Sequence, residues 1–60
     1  MRIYVFDQDD TPLAVYSASE APAVGDHVVT DKGKGVVAYR EWHPNDDGGA
    51  DCRVFVQRVK

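Results

Sequence analysis

Cysteine occurs once in this chain, at Cys52, so no internal disulfide can brace it. A lone thiol fits a reducing compartment better than a secreted one. Long apolar runs are missing as well. The first, Ile3-Tyr4-Val5-Phe6, ends at Asp7, far short of the roughly 20 residues of a membrane span or the apolar core of a signal peptide. These absences lead us to expect a cytoplasmic protein with no membrane association. No segment repeats its apolar residues at the 3.6 period of an amphipathic helix. An excess of positive charge is also lacking, with 7 Lys and Arg against 10 Asp and Glu and a net charge of −3, the reverse of the usual footprint of a general nucleic-acid binder. Sixty residues make one domain, with a core that must be compact and no room for an enclosed substrate pocket of about 300 Å³.

What is present is β-branched and aromatic residues in short runs, separated by Gly, Asp, Asn and Pro, the pattern of short strands. Strands are expected at Arg2 to Phe6, Leu13 to Ser17, His27 to Thr30, Val36 to Trp42 and Arg53 to Val59. The first is apolar at both parities, so both its faces are expected to be covered. Asp7 to Pro12 reads as a turn, Gly25-Asp26 as a sharp reversal, and Asp31 to Gly35 as a hairpin loop whose two glycines take positive φ. His43 to Ala50 reads as the longest loop. Five short strands in so few residues suggest a closed barrel, which removes exposed sheet edges. Charge is unevenly placed along it: residues 1 to 31 carry Arg2 against six acids, whereas residues 32 to 60 carry six Lys or Arg against four acids.

Val24-Gly25-Asp26-His27-Val28-Val29, then Gly33-Lys34-Gly35-Val36-Val37, then Asp46-Asp47 and Arg53-Val54-Phe55-Val56, form a pattern that resembles the Tudor-like SH3 barrel at the C-terminus of UvrD/PcrA-type helicases. The pattern is also similar to the polymerase-interacting domain of CarD-type transcription factors. The resemblance covers roughly residues 22 to 57 and implies an all-β, five-stranded SH3-like (Tudor-like) barrel. Those domains have a final strand that is missing here, and an N-terminal hairpin, Arg2 to Ser17, precedes the motif instead. If the barrel closes, that hairpin supplies the missing strands. The expected organisation is one domain over residues 1–60, with the hairpin in 1–18 and the barrel motif in 22–59.

Groups for catalysis or metal binding are sparse. His43, Asp46, Asp47, Asp51 and Cys52 match neither the spacing of zinc ligands nor the alternating oxygens of a calcium loop, and Asp46-Asp47-Gly48-Gly49 reads as a solvated turn. Cys52 with His27 or His43 could be a nucleophile and base only if folding made them neighbours, and a buried inert cysteine is the commoner outcome. We therefore expect no enzyme, no metal and no cofactor. Lys32, Lys34, Arg40, Trp42 and Arg53 remain as candidate binding residues, since an exposed Trp beside Arg can anchor a protein or stack a base. Alternation places Tyr39 on the face opposite Arg40 and Trp42, so one of the two aromatics is expected in the core and the other on the surface. The expectation is a small non-enzymatic adaptor of a bacterium or phage that binds a protein partner, by strand addition or through a patch around Trp42 and Arg53. The resemblance implies an RNA polymerase subunit as that partner. A nucleic-acid-binding barrel and a structural homo-oligomer are the alternatives.

Overall fold

The computed structural model describes residues 1–59. They form five strands, β1 (Arg2–Asp7), β2 (Pro12–Ser17), β3 (His27–Thr30), β4 (Gly33–Pro44) and β5 (Ala50–Arg58), and no helix. All five lie in one sheet of order β2-β1-β5-β4-β3, in which β1 runs parallel to β5 and every other pair is antiparallel.

The turns follow from local chemistry. Between β1 and β2 the Asp7 amide donates to the Thr11 carbonyl (2.9 Å), and the Asp9 carboxylate accepts the Thr11 amide (3.1 Å). The Thr11 side chain first, and then this amide, hold the Asp9 carboxyl below its ordinary range. Asp10 takes a left-handed φ of 69°, which Asp tolerates better than most residues. Gly25 has a φ of 96° within a turn closed by the Asp26 amide on the Ala23 carbonyl.

Strand alternation gives the sheet two faces. Ile3, Val5, Val37, Cys52, Val54 and Val56 line the concave face and form the core with Leu13. Leu13 reaches it through a bulge, because the β1 pairing skips from Val5↔Ala14 to Phe6↔Pro12. A second bulge, at Ala38, resets β4 between Val37↔Val56 and Tyr39↔Phe55.

The convex face carries a second apolar group. Register places Phe6 beside Phe55 and Tyr39 on its other side, and the rings stack at centroid separations of 5.4 and 4.6 Å with interplanar angles of 20° and 11°. Phe55 is only 5% exposed although it faces away from the core.

The expected closed barrel does not form: the sheet curls into a half-barrel whose end strands, β2 and β3, do not pair. The segment between them explains why. Ala18-Ser19-Glu20-Ala21-Pro22-Ala23 has no β-branched residue, and Pro22 lacks an amide to donate to a ladder. Its continuation bonds to β4 instead, with the Gly25 amide on the Val37 carbonyl and the Val37 amide on the Asp26 carbonyl, both 2.9 Å. The first two strands add to the sheet beside β5 and leave the barrel open.

Two further expectations are corrected. Gly33 has the positive φ expected of the β3–β4 turn (126°), but Gly35 does not; it lies within β4, buried against Val56. The loop expected over His43 to Ala50 shrinks to a tight turn at Asn45 to Gly49, closed by the Asn45 amide on the Gly49 carbonyl (2.8 Å). His43 and Pro44 pair with Asp51 and Ala50 instead. The lengthened β4–β5 hairpin gives the molecule its extents of 39 × 19 × 18 Å.

Candidate functional site

The five candidate binding residues do not converge. Trp42 lies across from Cys52, and Arg40 across from Val54, on the concave side of β4; Arg53 lies across from Glu41 on the convex side. Trp42 and Arg53 are therefore on opposite faces and share no patch. The Arg40 guanidinium sits 5.7 Å from the Trp42 ring centroid and donates to the Pro22 carbonyl (3.3 Å). Arg53 sits 5.8 Å from the centroid of Phe6. Lys32 Nζ donates to the Pro12 carbonyl (3.4 Å). Lys34 is the second residue of β4, opposite Val29 of β3. Three of the four cations thus contact their own chain. The expected split of Tyr39 and Trp42 between core and surface is not seen: the two are on opposite faces as alternation required, but Tyr39 is 45% and Trp42 49% exposed.

Neither constellation for chemistry assembles. Cys52 faces the core and His43 the convex side, where its ring lies 3.3 Å from Glu41 Oε1. Burial pushes the Cys52 thiol up from its ordinary value, and Arg40 offsets this only in part, so the sulfur stays protonated at neutral pH. Among the described residues no three His, Cys, Asp or Glu side chains gather as a metal site would need. Nor does any helix among them have the length and apolarity to cross a membrane.

This arrangement predicts slow alkylation of Cys52. At pH 8, iodoacetamide should label the folded protein roughly a hundredfold more slowly than the protein in urea, given an opening free energy of about 3 kcal/mol. Equal rates would show that the thiol is not enclosed. The sign of the pH effect follows from the same burial. The folded thiol titrates above its ordinary value of 9.0, so stability is fully present below about pH 9 and falls as pH rises through the raised folded value.

A concave feature that residue-type reasoning missed lies between the two unpaired strands. An open groove of about 680 Å³ is lined by Tyr16 of β2, by Glu20, Ala21, Pro22 and Asp26 of the connection, and by His27, Val28 and Val29 of β3. The pairing directions make β2 and β3 antiparallel to each other across it. At one end Lys32 reaches across to Pro12, and Arg58 backs it by donating to the Lys32 carbonyl. At the other end residues 18–26 span the gap. The Asp26 carboxylate accepts the Ala23 amide (2.8 Å), which fixes the turn leading into β3.

Val28 points inward against the core, while Val29 is 75% exposed. Among the described residues β3 has a neighbour only in β4, so its outer backbone groups face the groove without a strand partner there. No sequence signal was sufficient to mark this place, because it arises from strand order more than from residue type. Comparison of the chain with protein families, curated proteins and solved structures gives no match.

Proposed function

We propose that this protein is a small non-enzymatic binding module that takes an extended segment of a protein partner by strand addition along β3. The observation that supports this is the unpaired β3 edge facing the groove between β2 and β3. An exposed edge is a template for an added strand: backbone hydrogen bonds give affinity, and alternate side chains entering the groove give selectivity. The edge is narrow, with β3 only four residues long, which suits a short peptide segment and disfavours open-ended aggregation.

The nucleic-acid alternative has less support in the geometry. Lys32, Arg40 and Arg53 are engaged with their own chain. The convex aromatics are stacked nearly in parallel, which covers both faces of Phe55 and one face each of Phe6 and Tyr39 and so leaves fewer ring faces for a base. The resemblance to CarD-type and UvrD/PcrA-type Tudor-like barrels suggests an RNA polymerase subunit as the partner.

Hydrogen exchange with purified bacterial RNA polymerase tests this reading. Slowed exchange confined to His27–Thr30 and the facing β2 edge is expected on binding. Slowed exchange on Tyr39 and Phe55 with β3 unchanged would transfer the site to the convex face. Absence of binding would remove polymerase as the partner.

A further inference from the structure

Among the described residues, Glu20 and Asp26 are the charged side chains that line the groove, with His27 beside them and no Lys or Arg in the lining. Two cations of the described residues border it through hydrogen bonds to their own chain, and neither pairs with Glu20 or Asp26. Arg40 is held by the Pro22 carbonyl and the Trp42 ring, and Lys32 is held at the clasped end by the Pro12 carbonyl. The remainder of the lining is Tyr16, Ala21, Pro22, Val28 and Val29, an apolar surface bordered by carboxylates.

Building on the strand-addition reading, we infer that the segment accepted between β2 and β3 is cationic, an extended peptide alternating Lys or Arg with apolar residues. Strand geometry sends successive side chains to opposite sides. Apolar residues at one parity would cover Val28 and the floor of the groove, while basic residues at the other would meet Glu20 and Asp26 at the rim. Charge complementarity of this kind selects a partner and speeds encounter more than it adds affinity. A second copy of this chain is a poorer occupant, because its own β3 brings the same acidic flank.

The test uses the full chain and four fluorescein-labelled hexapeptides read by anisotropy. One alternates Lys and Val, one alternates Glu and Val, and two are the Lys-Val peptide N-methylated at alternate residues, one in each register. The Lys-Val peptide should bind at least tenfold more tightly than the Glu-Val peptide. Glu20→Lys should cut that preference severalfold without disturbing the fold, since Glu20 is exposed and its side chain makes no hydrogen bond or ion pair among the described residues. N-methylation in the register that blocks pairing should abolish binding.

Equal binding of the Lys-Val and Glu-Val peptides, both lost on N-methylation, would overturn the charge preference and leave strand addition standing. Binding of the Lys-Val peptide that N-methylation in either register leaves unchanged would overturn both, as would no binding by any peptide. Light scattering that finds a dimer with β3 protected from exchange would give the groove to a second copy and overturn the cationic-peptide assignment.

Discussion

Phe55→Ala is expected to leave the protein largely unfolded at 25 °C, although Phe55 does not belong to the concave core. Its ring is 5% exposed and lies between Phe6 and Tyr39, with centroids 5.4 and 4.6 Å away. Truncating a buried Phe to Ala typically costs about 3–5 kcal/mol, and aromatic pairing adds about 0.5–1.5 kcal/mol per pair. A 60-residue core without a disulfide rarely supplies more than about 3–5 kcal/mol in total, so this one change is comparable to the whole stability. Urea unfolding followed by circular dichroism measures it directly. Phe55→Leu, which keeps apolar volume but not the stack, should lose less and still fold. Phe6→Ala, at a partly exposed end of the row, should fall between the two. If Phe55→Ala unfolds within 1 kcal/mol of the parent, a magnitude typical of exposed sites, the convex row is decoration and the concave core alone holds the fold.

That row shows where sequence reading stops. Strand positions were legible because β-branched and aromatic runs alternate with turn formers, and each expected strand lies at or within a few residues of an observed one. Alternation also put Tyr39 on the correct side relative to Arg40 and Trp42. The stack itself depends on Phe6 meeting Phe55 across the parallel β1–β5 pair, a register between segments about fifty residues apart that no local pattern encodes. Closure is illegible in the sequence for a related reason: a strand count does not say whether the end strands meet, and the weak β-propensity of residues 18–23 decides that they do not.

The site was harder still. Basic and aromatic side chains were selected by type, yet the structure ties most of them to their own chain and distributes them over two faces. What it exposes is the backbone edge of β3, and edges are set by topology. Two residue-level signals did exist, the acids of the first half of the chain and the interruption of strand pattern at Ser19 to Pro22. Only the sheet order turns them into one rim of a groove.

Gly35 links this architecture to the proposed function, and Gly35→Ala should be the most damaging single-methyl addition in the chain. A Cβ at Gly35 would stand 2.8 Å from both Cβ and Cγ2 of Val56. Val56 is a core residue, 2% exposed, whose branched Cβ has no room to rotate away. Overpacking of this kind costs about 1–3 kcal/mol, and Gly35→Val should exceed that and prevent folding. Gly35 is also the β4 residue opposite Val28 of β3, so the strain acts where β3 is held in place. Gly35→Ala should therefore raise hydrogen exchange across His27–Thr30 before it loosens β1. Gly25→Ala is the contrasting change: nothing lies within 4 Å of its Cβ position, but φ is 96°, so its cost is backbone strain and no second substitution should relieve it. The decisive measurement is a double-mutant cycle in urea. If the clash with Val56 is the cause, adding Val56→Gly, which removes both the Cβ and the Cγ2 that a Cβ at Gly35 would meet, to Gly35→Ala should cost less than the two single losses combined, by about 0.5–3 kcal/mol. Simple additivity would mean that the close approach of β4 to Val56 does not set the position of β3.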